Sequence, residues 1–117
     1  MKISVIIPAY NASETLGEAL ISVEQQHVQP FEVVVVNDGS TDDTADVIQS
    51  FMDRLPLVCV DQENAGLGAA RNAGMHAAKG DTWAFLDADD AWGSNKLAHA
   101  RDYLTRFPQV QWLYTPI

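Results

Sequence analysis

The stretch Thr82-Trp83-Ala84-Phe85-Leu86-Asp87-Ala88-Asp89-Asp90 decides the fold of this chain. Its first five residues are β-prone and mostly apolar, which is typical of a strand buried on both faces of a parallel sheet. Three carboxylates follow within four positions, at the carboxyl end of the strand, where open α/β sheets place their ligands. Because crowded acids repel one another unless a cation or hydrogen-bond donors compensate them, this stretch predicts a divalent metal site on Asp87 and Asp89.

The metal prediction depends on how the acids alternate. In an extended segment, Asp87 and Asp89 point the same way and Ala88 points the other way. Two carboxylates with open positions suit Mg²⁺ or Mn²⁺, because these ions keep waters and bind the phosphate oxygens of a substrate. Asp90 fits a turn or helix-cap role as well as a metal role.

Strand-like and helix-like segments alternate along the rest of the chain. Asn11 followed by Glu14 predicts a capped helix start, and Pro8 is expected to end the first strand. The predicted strands are 3–7, 31–36, 57–60, 82–86 and 110–114, and the predicted helices are 12–26, one carrying 45–52, 68–79 and one from 94 to 107. Strand 31–36 is nearly all apolar and is expected to be central. This alternation indicates an α/β fold with a mostly parallel sheet and helices on both faces.

Length, charge and cysteine content limit the functional classes. The chain has 117 residues, which predicts one domain, and a formal net charge of −9, which argues against binding nucleic acid. It contains no apolar run long enough to span a bilayer and no signal-peptide pattern at the amino terminus. The single cysteine, Cys59, is predicted to be buried, and a cytoplasmic location is expected, with membrane association left open for a longer natural protein.

Polar residues follow each of the first four predicted strands. In a parallel sheet these strand ends lie along one edge, so residues that are distant in sequence converge on one crevice. Asp38 follows a buried strand directly, and its side chain is expected to point into that crevice. Ser40, Thr41 and Asp43 are interpreted as turn or capping residues of the next helix.

The segment Gly66-Leu67-Gly68-Ala69-Ala70-Arg71-Asn72 resembles half of a dinucleotide-binding fingerprint. Arg71 stands where the third glycine of that fingerprint would be, which disfavours the close helix–strand packing of a dinucleotide site. Arg71 instead offers several donors for a pyrophosphate or a base carbonyl. The alternative interpretation of Arg71 is a surface salt bridge.

Four sequence blocks together resemble the family-2 glycosyltransferases of the GT-A fold. They are SVIIPAYN at 4–11, VVNDGSTD at 35–42, NAGLGAARNAG at 64–74 and FLDADD at 85–90. The resemblance implies a Rossmann-like, three-layer α/β/α fold. It also implies transfer of a sugar from a nucleotide diphosphate sugar, with inversion and with help from Mg²⁺ or Mn²⁺.

The resemblance also implies roles for individual residues. Pro8, Ala9 and Tyr10 would line the nucleoside pocket, and Asp38 would bind the base. Arg71 would lie beside the base or the diphosphate, with Asp87 at the ribose or metal and Asp89 at the metal. The full set predicted to bind the nucleotide sugar is Pro8, Ala9, Tyr10, Asn11, Asp38, Asn64, Gly66, Arg71, Asp87 and Ala88.

The chemistry of Asp38 adds a prediction about the base. An ionised carboxylate only accepts hydrogen bonds, whereas uracil, thymine and guanine present a ring N–H donor at the base edge. Cytosine and adenine present an acceptor there, which would leave the carboxylate unpaired. The sequence therefore favours UDP, dTDP or GDP sugars over CDP or ADP sugars.

The second half of the family pattern, which would hold the acceptor and the general base, is expected beyond Ile117, and no catalytic residue is assigned within the chain. The acceptor is an unspecified glycan, lipid or other molecule. Exposure of Trp92, Trp112, Tyr114 and Ile117 is expected to favour self-association through an apolar patch or an edge strand.

Three other functional classes share parts of this pattern. Phosphotransferases of the haloacid-dehalogenase type also carry D-x-D after an apolar strand, but their motif continues with Thr or Val, whereas Asp90-Ala91 follows here. A non-catalytic glycosyltransferase-like binding or assembly module is the second alternative. A dinucleotide-dependent oxidoreductase ranks last because the third glycine is missing.

Overall fold

The chain alternates strands and helices throughout the part that the structure describes. A computed structural model describes residues 1–111. The elements are β1 (Ile3–Ala9), α1 (Leu16–Glu24), β2 (Glu32–Asp38), α2 (Thr44–Ser50), β3 (Leu57–Gln62), α3 (Leu67–Ala77), β4 (Thr82–Phe85) and α4 (Lys96–Arg106). This order confirms the predicted α/β alternation.

The four strands form one parallel sheet in the order β3-β2-β1-β4. All residues of β1 and β2 are buried, which confirms that the second strand is central. Because the strands are parallel, the carboxyl ends of all four lie along the same edge of the sheet, which we call the carboxyl edge.

Helices cover both faces of the sheet. One face packs against α1, α2 and α4 through a large apolar cluster that includes Leu16, Leu20, Ile48 and Leu97. On the opposite face, α3 lies over β1 and β2, and we call this the α3 face. A side chain at Gly74 would place its Cβ 2.5 Å from Cγ2 of Ile6, so the glycine allows α3 to approach the sheet closely.

The prediction that Pro8 ends the first strand is wrong, because β1 continues through Pro8 to Ala9. Even-numbered residues of β1 turn their backbone groups toward β4, as shown by the bond from Leu86 N–H to the Ile6 carbonyl. Pairing with β4 ends at Ile6 and Phe85. The missing N–H of Pro8 therefore faces β4, where the ladder ends, and not β2, with which β1 stays paired through Ala9.

The prediction that β4 is buried on both faces is also wrong. Among residues 1–111, β4 is an outer strand, and Trp83 and Phe85 on its α3 face are 49% and 40% exposed. Their register partners on β1 are Ser4 and Ile6, but α3 covers β1 and β2 and does not extend over β4.

Two further burial predictions are reversed by the structure. Cys59, predicted to be buried, is exposed because β3 is the other outer strand of the sheet. Trp92, predicted to be exposed, is only 8% exposed and packs in the cluster with Leu86 and Leu97. Strand order decides the exposure of Cys59, and packing of the loop after β4 against the core decides the burial of Trp92.

The last predicted strand, 110–114, lies mostly outside the described residues, and Val110 and Gln111 belong to no helix or strand. Trp112, Tyr114 and Ile117 lie outside them entirely. Within residues 1–111, no helix has the length and apolar character needed to cross a bilayer.

Candidate functional site

A small pocket lies at the carboxyl edge, where β1 and β2 end beside the start of α3. Its volume is about 190 Å³, which is smaller than the ~300–1,000 Å³ typical of sites for whole drug-sized ligands. The lining residues are Pro8, Ala9, Tyr10, Asp38, Asn64, Gly66, Leu67 and Ala70. Six of these eight, all except Leu67 and Ala70, belong to the set that the sequence predicted to bind nucleotide sugar.

Apolar groups form most of the pocket wall. Tyr10 is 52% exposed and Leu67 is 53% exposed, so an aromatic ring and an aliphatic side chain face solvent beside the opening. An exposed tyrosine ring provides a surface on which a planar ligand can stack. The pocket therefore combines a stacking surface with one buried carboxylate, that of Asp38.

Asp38 is 2% exposed and receives hydrogen bonds from the last residue of β3 and from the loop that follows it. Its Oδ1 accepts from Gln62 Nε2 at 2.8 Å and from the Ala65 N–H at 2.9 Å. Its Oδ2 accepts from the Gly66 N–H at 3.0 Å and, at 3.3 Å, from Asn64 Nδ2, which also donates to the Asp38 carbonyl at 3.0 Å. The Asn64 contact to Oδ2 is therefore the weakest of the four.

These donors keep Asp38 ionised. The hydrogen bond from Gln62 is the largest cause of a lowered pKa for Asp38, and the Ala65 and Gly66 backbone donors add to it, while burial opposes them. Gly66 is the N-cap of α3 and has φ of 97°, so the carboxylate also lies at the positive end of a helix dipole. Asp38 is consequently an acceptor-only group in the pocket.

Asn11 does not have the capping role predicted for it. It does not cap α1, whose N-cap is Thr15, and it does not line the pocket. Asn11 adopts φ of 47°, and its Oδ1 accepts from the Thr41 N–H at 2.8 Å, while its own N–H donates to Ser40 Oγ. The residue joins the loops after β1 and β2.

Asp42 reinforces this junction between the two loops. Its carboxylate accepts from the Thr44 hydroxyl and N–H and from the Ser13 N–H. The Thr44 hydroxyl is the main reason that the pKa of Asp42 is lowered to about 2, and Ser13 contributes further. Thr44 Oγ1 in turn accepts from the Ala12 N–H at 2.9 Å, so the two loops hold each other in place.

The three acids after β4 form a cluster at the same edge. Asp87, Asp89 and Asp90 each present a carboxylate oxygen, and these oxygens lie within 4.8 Å of one another. Asp87 and Asp89 are exposed whereas Ala88 is 9% exposed and packs in the core, as the alternation predicts. The side chain of Ala88 is therefore not a pocket residue.

A hydrogen bond from the Asp90 N–H to the Asp87 carbonyl closes a tight turn that brings Asp90 to the other two acids. Three carboxylate oxygens at this spacing, open to solvent on one side, fit a hard divalent cation such as Mg²⁺ or Mn²⁺. Asp87 and Asp89 were predicted as metal ligands, and the structure adds Asp90 to the group.

Helix α3 connects the pocket with the acid cluster. Ala70 lines the pocket, and the next residue, Arg71, has its Nη2 3.3 Å from Asp87 Oδ1. Both side chains of this ion pair are nearly half exposed, so it contributes little to stability. Arg71 thus lies between the pocket and the acids, and its guanidinium retains donors for an anionic group.

The sequence did not indicate Gln62, Leu67 or Ala70 as site residues. Gln62 pairs in register with Asp38 at the ends of β3 and β2, so knowledge of the strand register would have identified it. Leu67 and Ala70 belong to the first turn of α3, where ordinary helix-forming residues carry no local functional signal.

Comparisons with known proteins agree with this arrangement. The sequence profile described as "Glycosyl transferase family 2" matches residues 4–112. An uncharacterized glycosyltransferase of Nostoc sp., alr2836, is 48% identical over 99 residues, which are 83% of this chain and 31% of that protein. The chain therefore spans about a third of the length of that relative.

Two solved structures resemble the fold closely. S. aureus TarS (residues 1–349), determined with UDP, shares 31% identity with a TM-score of 0.87 over 100% of this chain and 38% of that one. The mannosyltransferase PcManGT of Pyrobaculum calidifontis, determined with GDP-Man and Mn²⁺, shares 31% identity with a TM-score of 0.82 over 88% of this chain and 32% of that one. With its parallel sheet and these GT-A neighbours, this chain belongs to glycosyl transferase family 2.

Proposed function

We propose that this chain binds the donor of a metal-assisted, inverting glycosyltransferase, a nucleotide diphosphate sugar, at its carboxyl edge. The observation that carries the proposal is the position of a base-sized pocket beside an acid cluster, with Ala70 lining the pocket and Arg71 paired to Asp87. The pocket would hold the nucleoside and the acids would hold a divalent cation at the diphosphate.

The base would stack against Tyr10 and direct its polar edge toward Asp38. The ring N–H of a uracil, thymine or guanine can replace the 3.3 Å contact between Asn64 and Asp38 Oδ2, because Asn64 Nδ2 keeps its 3.0 Å bond to the Asp38 carbonyl. A base with an acceptor at that edge would face an ionised carboxylate. We therefore propose UDP, dTDP or GDP sugars as donors, in line with the UDP and GDP-Man complexes of the structural neighbours.

Asp87 and Asp89, joined by Asp90, would hold Mg²⁺ or Mn²⁺, and the Mn²⁺ complex of PcManGT supports this choice of metal. A divalent cation supplies positive charge to a departing diphosphate without any proton transfer. Arg71 can then exchange its exposed bond to Asp87 for a phosphate oxygen, which is a favourable partner for a guanidinium. The side chain would add a second positive charge next to the cation.

Inversion requires a general base that activates the acceptor hydroxyl on the opposite face of the sugar. We propose that the base and the acceptor site belong to chain beyond Ile117, since the relatives and neighbours are about three times longer than the matched region. Residues 1–117 would then be a single donor-binding domain, with a glycan, lipid or other acceptor bound elsewhere.

The exposed side chains of Trp83 and Phe85 on β4 are the surface through which we expect the isolated chain to self-associate. Light scattering over a range of concentrations tests self-association, and a monomer at high concentration would contradict it.

The single cysteine is compatible with a reducing, cytoplasmic setting.

Calorimetric titration with UDP, GDP, CDP and ADP, with and without Mn²⁺, tests the proposed donor site. We expect binding of UDP or GDP that strengthens with Mn²⁺ and is lost in Asp89→Asn, with CDP and ADP at least about tenfold weaker. Asp102→Asn on α4 is the matched control and should bind as wild type does. Equal binding of all four nucleotides would contradict the role of Asp38, and metal-independent binding would contradict the role of the acids.

A further inference from the structure

A buried amide, that of Gln26, bonds to the segment that follows the acid cluster in the chain. Gln26 follows α1 and is only 3% exposed, and it lies on the face of the sheet opposite α3. The segment that it contacts, residues 93–97, leads from the acid cluster into the first turn of α4. Neither the sequence pattern nor the proposed donor site gives this glutamine a role.

The carboxamide of Gln26 uses both its donors and its acceptor. Nε2 donates to the Gly93 carbonyl at 2.7 Å and to the Ser22 carbonyl at 3.0 Å. Oε1 accepts from the Leu97 N–H at 3.0 Å, in the first turn of α4. One side chain therefore joins α1 to the two ends of the 93–97 segment.

The neighbouring backbone and apolar side chains strengthen the same connection. The His27 N–H donates to the Ser94 carbonyl at 2.9 Å. Trp92 and Leu97, 8% and 1% exposed, pack in the apolar cluster on either side of this contact. The segment after the acids is consequently held by three hydrogen bonds and two buried side chains.

Along the chain, the acid cluster lies between β4 and this attachment. On its amino-terminal side, the Leu86 N–H donates to the Ile6 carbonyl at 3.0 Å, which holds the loop to β1. On its carboxyl-terminal side, Trp92 packs in the apolar cluster and Gln26 donates to the Gly93 carbonyl. Between them, Asp87, Asp89 and Asp90 are exposed or half-exposed, so these attachments, together with the buried Ala88 and the Arg71–Asp87 ion pair, hold the loop that carries the carboxylates.

We infer that Gln26 is a positioning residue that sets the spacing of the Asp87, Asp89 and Asp90 carboxylates for a divalent cation. The inference rests on the metal site of the proposed function. Glutamine suits this position because its amide donates to the Gly93 carbonyl and also accepts from the Leu97 N–H. Glutamate would keep the acceptor and lose both donors, and methionine would keep neither.

The test compares Mn²⁺ affinity and local backbone protection among variants of the whole chain. Gln26→Met removes all three bonds, and Gln26→Glu removes the bonds to Gly93 and Ser22 and sets a buried carboxylate against their carbonyl oxygens. Gln29→Met is the matched control, because Gln29 Nε2 donates only to the carbonyls of Glu24 and Gln26. Ile48→Val in α2 controls for a general loosening of the core. Titration is done at a temperature at which circular dichroism shows every variant folded.

Partners of metal ligands typically contribute about 10–100-fold to affinity, and Gln26 acts one step further out, so we expect about fivefold weaker Mn²⁺ binding for Gln26→Met. Hydrogen exchange of the Leu97 amide, measured without metal, should speed up in that variant and not in Gln29→Met or Ile48→Val. The Gln26→Glu variant should lose affinity in the same direction.

Three results would overturn the inference. Wild-type Mn²⁺ affinity in both Gln26 variants would show that the amide does not position the acids. Equal losses in Ile48→Val and Gln26→Met would show a general effect of stability. A wild-type chain that binds no Mn²⁺, even with UDP, would refute the proposed metal site itself, and the inference with it.

Discussion

Glu32 and Asp38 lie on the same face of β2, at opposite ends of the strand, and their surroundings differ. Glu32 is 6% exposed and Asp38 is 2% exposed, and both receive hydrogen bonds from the loops that flank α3. Asp38 holds the Asn64–Gly66 loop at the start of the helix. Glu32 accepts from the Ser4 hydroxyl at 2.6 Å and from the N–H of Lys79, which lies just after the end of α3. The two carboxylates thus hold α3 at both ends.

Both acids have a lowered pKa, yet the pocket at the carboxyl edge adjoins Asp38 and not Glu32. Burial acts to raise the pKa of Glu32, but hydrogen bonds from Ser4, Lys79 and Gly80 outweigh it. At that end the structure is closed: a Cβ on Gly80 would lie 2.4 Å from the Lys2 carbonyl oxygen and from Ser4 Oγ. A buried, hydrogen-bonded carboxylate therefore indicates a binding site only where open volume adjoins it, as beside Asp38.

The largest expected effect is on stability at the closed end. Glu32→Ala should lower the free energy of unfolding by about 3 kcal/mol, because the Lys79 N–H and the Ser4 hydroxyl lose a charged acceptor. Urea unfolding measures the loss, and Asp81→Ala, an exposed acid of the same region, is the control. UDP affinity of the folded variant should equal that of wild type. A parallel fall in UDP affinity would show that the two ends are coupled through α3.

Between the two ends, the packing of α3 on the sheet should be nearly as sensitive. Gly74→Val should cost about 2 kcal/mol, because its Cβ would overlap Cγ2 of Ile6 in a close-packed interface. Gly17→Ala in α1 is the control, since its Cβ meets no atom within 4 Å and alanine favours helix. Thermal unfolding of both variants distinguishes them, and a neutral Gly74→Val would contradict the close approach of α3.

At the open end, the expected effect is on binding. Asp38→Asn should weaken UDP binding about tenfold, or ~1.4 kcal/mol, because an amide cannot accept from all the donors that the carboxylate serves. Asp61→Asn, an exposed acid at the end of β3, is the matched control. Calorimetry that gave equal UDP affinities for Asp38→Asn and wild type would separate Asp38 from the donor site.

The smallest expected effect is the dependence of stability on pH in the acidic range. Because folding lowers the pKa values of Glu32, Asp38 and Asp42 below their unfolded values of 4.5 and 3.8, the unfolded chain binds protons first as the pH falls. These groups contribute their full stabilisation of the fold above about pH 4.5. Their contribution declines as the pH falls below 4.5, and the decline continues to about pH 2, the pKa of Asp42 in the folded chain. Urea unfolding at several pH values measures the decline.

Glu32→Gln separates the closed end from the open end in this titration. The variant should lose the earliest part of the decline, just below pH 4.5, and keep the later part that Asp38 and Asp42 cause. An unchanged profile would show that Glu32 does not contribute.

Much of the site was predictable because its residues follow strands directly. Pro8, Ala9, Tyr10 and Asp38 were identified from strand ends and from the family resemblance, and the structure places all four at one pocket. The predicted capping role of Asn11 was wrong because a capping pattern is local, whereas its partner Thr41 is 30 positions away. Gln26, Glu32 and Gln62 were not identified because their partners are likewise remote in sequence.

The sequence by itself determined the alternation of strands and helices, the exposure of Asp87 and Asp89 around a buried Ala88, and the family. These features depend on the periodicity of apolar residues and on short motifs, which act over a few positions. Only the tertiary structure decided that β3 and β4 are the outer strands within residues 1–111, that Pro8 remains within β1 and that Asp38 is held by the loop after β3. Those outcomes depend on which strands pair and in which register, and pairing joins residues that local patterns cannot connect.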